Sequence, residues 1–195
     1  MLYTTVSRVV AYGNVESVAD DALLNQLIEA YSRQIDRYCG VDFGQATYVS
    51  QERPGHVDRD GVLFCYAPVP TMTTPTTFEW RYGRIRQYTA VSPSLLDVEE
   101  RRNGCVVRVL DSDYGAYRGQ RIKTRMSYTG GWADLDAVPG DFEMTARRLI
   151  WWAYKLREAP IGVTAIPALG QLVIPPSGWP RDVRDALRDY VRYTE

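Results

Sequence analysis

Apolar residues recur at helical spacing in three stretches of the chain. In the first, Leu23, Leu24, Leu27, Ile28, Tyr31, Ile35 and Tyr38 fall three and four positions apart, one stripe of a helix over residues 19–39. Asp20 and Asp21 lie where the helix dipole favours acid, and Gly40 sits where a left-handed residue stops the helix. In the second, Phe142, Ala146, Leu149, Ile150, Ala153 and Leu156 share a face, with Asp141 as N-cap after Pro139-Gly140 and Pro160 as the stop. Trp151 and Trp152 widen that stripe, because consecutive helical residues point about 100° apart. The third, "PRDVRDALRDYVRY", puts Val183, Leu187, Tyr190 and Val191 inside and alternates Arg with Asp outside; Pro180 suits its first position.

Between residues 41 and 132 the period shortens and turn residues multiply. Strands are predicted within 46–52, 61–70, 76–91 (two, around Tyr82-Gly83), 95–110 and 119–131. Asn103-Gly104 predicts a type I′ hairpin. Met1–Val10 is short and mixed, an edge strand or an arm. The stretch 161–178 has seven aliphatics and no charge, and its glycines and prolines make it a hairpin or an extended loop. The fold class predicted is α+β: a small helical bundle of about three main helices (17–40 and 139–195) with a large inserted β-rich region of about six strands (41–132). All of it reads as a single domain over residues 1–195.

Composition narrows the function classes. Net charge is −1, so no global basic field attracts nucleic acid. Nearly all positive charge is arginine; Lys123 and Lys155 are the only lysines. The cysteines, Cys39, Cys65 and Cys105, are odd in number and lack a CxxC pair, which predicts buried thiols rather than a disulfide framework or a zinc site. There is no 18-residue apolar run and no signal peptide, so an intracellular, soluble protein is expected.

Candidate chemistry is sparse. His56 is the only histidine, which disfavours His-based metal sites and Ser–His or Cys–His nucleophiles. Asp58/Asp60 and Glu99/Glu100 could support a carboxylate-bound Mg²⁺ of a hydrolase, but aspartates favour such turns for backbone reasons. No phosphate-cradling glycine loop is present. Arg81, Arg84 and Arg86 interleave with Trp80, Tyr82 and Tyr88 as in single-strand binders, and equally as in a strand pair with one wet face. No catalytic residue, cofactor or metal is therefore expected. A mobile loop of exposed aliphatics is a liability. Residues 161–178 are accordingly expected under the helices or against another chain, and Trp151, Trp152, Ile166, Leu169, Leu172 and Ile174 are the candidate subunit-interface residues.

The order "DDALLNQLIEAYSRQIDRYCG", "LFCYAPVP", "YTGGWADLDAVPGDFEMTARRLIWWAYKLRE", "GWPRDVRDALRDYVR" resembles the head–tail connector (adaptor, or head-completion) proteins of long-tailed bacteriophages, over about residues 17–193. The resemblance implies a structural virion protein of the neck, present in the host cytoplasm before assembly, with no catalytic centre. It implies a ring of copies, typically dodecameric, beneath the portal protein. That ring extends the channel for double-stranded DNA, without sequence-specific binding, and meets the next neck or tail-completion protein. No membrane is involved. The C-terminal part would reach the portal, with Trp179, Val183, Leu187, Tyr190 and Tyr193 as anchors. A conduit that must not grip its cargo implies that acidic or neutral residues of the β region or loops face the channel. The alternatives are a DNA-binding packaging factor, or a stopper or tail-completion ring of the same neck.

Overall fold

The structure is a computed structural model that describes residues 1–13, 20–41, 43–110, 113–158, 164–166, 171–173 and 178–192. Among these are four α-helices, a seven-stranded antiparallel sheet and a two-stranded hairpin, so the α+β class holds with one helix and one sheet strand more than expected. The chain divides into two compact units.

The helical unit comprises Met1–Cys39 and Leu135–Asp189. Its helices are α1 (Val6–Gly13), α2 (Asp21–Cys39), α3 (Gly140–Glu158) and α4 (Arg181–Leu187). Val9, Leu24, Ile28, Ile150 and Tyr154 are buried together, with Val6, Val10 and Trp151 packed on them. Helix α1 replaces the strand or arm expected there. Val6, Val9 and Val10 follow helical spacing, but valine's β-branched side chain favours strands when read locally, and burial against α2 and α3 overrides that preference. Polar side chains fix the helix ends. The Tyr154 hydroxyl donates to Asp20 Oδ2 (2.6 Å), the Tyr3 hydroxyl to Asp36, and the Arg8 guanidinium to Glu143 (3.0 Å) and Asp136 (3.3 Å). Helix α2 stops at Gly40, whose φ of +65° is the left-handed turn foreseen. Helix α4 is shorter than its periodicity suggests: after Leu187 the chain tightens into a 3₁₀ turn, Arg188–Tyr190.

The β unit comprises Gly40–Asp134 and Tyr190–Glu195. Its strands are β1 (Ala46–Val57), β2 (Leu63–Ala67), β3 (Thr77–Tyr82), β4 (Thr89–Val91), β5 (Leu96–Arg101), β6 (Gly104–Val109) and β7 (Ile122–Gly130), in the order β4-β3-β7-β1-β2-β6-β5. One connection sets its shape. Edge strands β4 and β5 are joined by residues 92–95 alone, which reach at most about 18 Å from Val91 to Leu96. Seven flat strands at roughly 4.8 Å spacing would hold those edges about 29 Å apart. The sheet must therefore curl back on itself, and its inner face closes around one core. Leu63, Cys65, Phe78, Trp80, Val107, Ile122, Met126 and Tyr128 are buried there, packed with Val91 and Val98 from the two edges.

Two glycines are demanded by this packing. Gly131 has φ +101°, and a Cβ there would strike the Gly44 carbonyl. Gly104 has φ +152°, and a Cβ would meet the Tyr66 ring. The β5–β6 hairpin forms one residue earlier than predicted: Arg101 pairs with Gly104, leaving Arg102-Asn103 as the turn. Neither turn residue has positive φ, so the turn is not type I′. Gly104 serves the close approach of Tyr66, whose hydroxyl donates to the Asn103 carbonyl.

Candidate partner-binding surfaces

The residues singled out in the sequence fall into three groups. On α3, Trp151 and Trp152 are both partly buried. The Trp151 ring stacks on Tyr154 (5.3 Å between centroids, 18°) and carries the Lys155 ammonium over it at 4.9 Å. It also lies so close to Gly13 that any side chain there would collide with it. Much of the Trp151 ring is therefore already committed within the helical unit. Ile166 and Leu172 fall in the hairpin β8 (Thr164–Ile166) and β9 (Gln171–Val173), in register Ala165 with Leu172 and Ile166 with Gln171. Leu169 and Ile174 lie outside the described residues, as does Tyr193.

Near the C-terminus, Val183 and Leu187 are 0% exposed. Their side chains are spent on the chain's own core, so they hold α4 in place and are not displayed to a partner. Tyr190 is likewise buried, and it belongs to the β unit, not to the face of helical packing suggested by spacing. Its ring meets Phe43 (6.3 Å) and Trp132 (6.5 Å) edge-on, with the Arg102 guanidinium 5.7 Å from its centroid. Phe43 and Trp132 stack at 4.9 Å. Trp179 is partly buried against the exposed Tyr38 ring at 5.1 Å. The outer face of α4 carries Arg181, Asp182, Arg184 and Asp185, with Arg188 and Asp189 just beyond; Asp182 pairs with Arg148.

The outer face of the β sheet is a charge network that sequence reading missed, because its members come from three strands. Lys123 Nζ donates to Glu52 (3.0 Å), Arg81 lies 3.8 Å from the same carboxylate, and Arg125 pairs with Glu79. The Tyr88 hydroxyl donates to Glu52 (2.5 Å), and its ring is flanked by the guanidinium groups of Arg125 (4.4 Å) and Arg81 (5.0 Å). Tyr88 and then Lys123 hold the Glu52 carboxyl below the ordinary glutamate range. Arg81, grouped by sequence with Arg84 and Arg86, differs from them in facing Glu52, while its guanidinium also donates to the Ile85 carbonyl between them (3.0 Å).

Where the strands β3 and β7 meet the loops, the picture reverses. Tyr82 pairs with Ile122, and the Gly83 N–H donates to the Arg121 carbonyl (2.9 Å), which ties the loop 83–88 to the loop 114–121. The Tyr114 N–H donates to the Gly61 carbonyl (2.8 Å), bringing in the β1–β2 turn. Arg84, Arg86, Arg118 and Arg121 are exposed on these loops, and their side chains make no ion pair or hydrogen bond with any described residue. Beneath them Trp80, Tyr82, Tyr114 and Tyr117 pack together, with the Tyr82 and Tyr117 rings 4.5 Å apart and both on Trp80. Arg121 and Lys123 also line, with Glu52 and Arg53, a cleft of about 240 Å³.

The groups that catalysis would use are disposed otherwise. Burial pushes the thiols of Cys39, Cys65 and Cys105 up to about 12, so none is a thiolate at neutral pH. His56, which falls between the strands predicted within 46–52 and 61–70, is on strand β1 beside Phe64 (5.6 Å between rings). Asp58 caps the β1–β2 turn, its Oδ1 accepting from the N–H groups of Asp60 and Val62 (2.9 Å each). Among the described residues no three His, Cys, Asp or Glu side chains converge as metal ligands, and no helix is long and apolar enough to cross a membrane.

No protein-family model matches the chain, and no curated protein matches its sequence. Solved structures similar to it include one titled "Neck of empty GTA particle computed with C6 symmetry", at 16% identity and TM-score 0.49, over 99% of this chain and 91% of that one. A chain from "Virion of native gene transfer agent (GTA) particle" is similar at 16% identity and TM-score 0.49, over 98% and 94%. One from "Neck of native GTA particle computed with C12 symmetry" reaches 18% and 0.42, over 92% and 100%. At these identities and scores the likeness fixes neither role nor partners.

Proposed function

We infer that this protein is a structural component of a phage-type neck, a ring adaptor that joins the portal protein to the next neck or tail-completion protein and extends the DNA channel. The observation that carries the reading is the order of parts. The chain runs from a glycine-stopped helix (α2) through a β insertion and the Tyr128-Thr129-Gly130-Gly131-Trp132 junction into α3 and then a short closing helix after Pro180, an order that resembles the connector proteins. The junction has a physical basis: Gly131 allows β7 to end against the Gly44 backbone, and Trp132 stacks on Phe43 immediately after it.

A closed ring needs two different faces on each copy. The proposed subunit contacts use the accessible parts of Trp151 and Trp152 together with the 161–178 stretch, including Ile166, Leu169, Leu172 and Ile174. The proposed portal-facing segment is 178–195, with Trp179, the outer face of α4 and Tyr193 as its contact groups. Val183, Leu187 and Tyr190 contribute by holding that segment in place. Removing residues after Ser177 would also remove buried core, so surface variants test the docking better. Trp179→Ala combined with Arg184→Glu and Arg188→Glu is expected to stay folded and lose capture by purified portal rings. Capture at wild-type strength by that folded variant would refute the C-terminal docking.

A further inference from the structure

The geometry points to the loop end of the β unit, where Arg84, Arg86, Arg118 and Arg121 gather, as a contact surface for the phosphate backbone of duplex DNA. The inference runs against the acidic or neutral channel lining expected from the resemblance, and it does not depend on ring formation, since a single chain carries the whole surface.

Three observations support it. First, residues 80–88 and 114–121 hold five arginines and no Asp or Glu; the acid just before the second run, Asp113, is engaged by the Gly115 N–H (2.8 Å). Arg81 alone among the five is neutralised, by Glu52. The other four have no partner among the described residues, whereas Arg81, Arg101, Arg108, Lys123 and Arg125 of the same unit are all in ion pairs. Second, the loops are held in place before any ligand arrives. The Gly83–Arg121 hydrogen bond joins them, and the four-ring cluster under them fixes their floor. Pre-positioned cations lose less conformational freedom on binding than free side chains on mobile loops. Third, the patch is charged at its centre. A stable protein interface is depleted of charge at its core and apolar there. These loops offer one exposed large aliphatic, Ile85, between Arg84 and Arg86. A polyanion with regularly spaced charge fits that surface better than an acidic protein does. Single-stranded nucleic acid fits less well, because the rings that would stack on bases are packed against one another.

Four phosphate contacts predict a specific salt dependence. Each neutralised phosphate contributes about −0.9 to the slope of log affinity against log salt, so the full patch gives about −3.6. That is roughly a 150-fold loss between 50 and 200 mM salt. Binding should not depend on base sequence.

The test uses the full chain and a fluorescent 30-base-pair duplex of mixed sequence, followed by anisotropy from 20 to 200 mM NaCl. The wild-type protein is expected to bind with a slope of about −3.6, and Arg121→Gln to lower it by about 0.9. Arg84→Gln/Arg86→Gln/Arg118→Gln/Arg121→Gln is expected to abolish binding. An equal charge change in the helical unit, Arg33→Gln/Arg37→Gln/Arg181→Gln/Arg184→Gln, is expected to leave it intact; circular dichroism checks that both variants are folded. The proposal is overturned if the wild type fails to bind duplex at 20 mM salt, or if both quadruple variants bind equally. It is also overturned if poly-glutamate displaces the duplex at equal charge concentration, which would assign the surface to an acidic protein.

Discussion

Two parts of this chain are rich in arginine, and they differ in company. On the outside of α4 and the turn after it, residues 181–189 alternate Arg181, Asp182, Arg184, Asp185, Arg188 and Asp189, so each cation has an acid within a helical turn. At the loop end of the β unit, Arg84, Arg86, Arg118 and Arg121 have no acid within four residues in sequence and pair with no described side chain. The first pattern is a solvated face of nearly zero net charge, suited to geometric docking against a partner. The second concentrates positive potential in a protein whose overall charge is −1. Net charge therefore says little about either surface; the distribution decides.

The largest expected effect breaks the inner side of α4. Leu187→Ala removes a fully buried side chain and is expected to destabilise the protein by about 2–5 kcal/mol, read from the urea midpoint. If its cost were near zero, α4 would not be anchored as described. Next is Gly131→Ala, where φ +101° alone costs about 1–3 kcal/mol and the Gly44 carbonyl adds a clash. Here the same urea titration should show a clear loss.

The quadruple glutamine variant of the β loops should barely move the urea midpoint, because those side chains hold nothing. A large drop would mean that the arginines serve the fold and that the contrast with α4 is misdrawn. The smallest effect concerns Glu52. Its carboxyl is held below the usual glutamate value, so its contribution is present at neutral pH and lost only as pH falls through that lowered value. Carbon-detected NMR titration should show a depressed midpoint that moves back up in Tyr88→Phe; an unmoved midpoint would remove Tyr88 from the network.

Helices were legible in the sequence wherever their apolar stripe was long. α2 and α3 appear close to the residues expected, since Leu24, Ile28, Ile35, Leu149 and Ile150 keep a 3.6 period over five turns each. α1 was hidden because three valines in eight residues look like a strand until burial decides. The β insertion was recognisable by strand count, but not its closure. Only the pairing order shows that four residues between β4 and β5 bridge opposite sheet edges. The surfaces were least legible. Val183, Leu187 and Tyr190 have the apolar character of interface anchors, yet the chain buries them itself. Arg118 and Arg121 gave no signal alone, because their neighbours Arg84 and Arg86 lie some thirty residues away and meet them only through the Gly83–Arg121 hydrogen bond.

Electron microscopy of the full chain incubated with portal-bearing, tailless phage heads checks the proposed ring adaptor role. The expected image is a new ring of density beneath the portal, with the rotational symmetry of repeated copies and an open central channel. Portals that stay bare at saturating protein, while the chain remains folded in solution, would rule out the ring adaptor role.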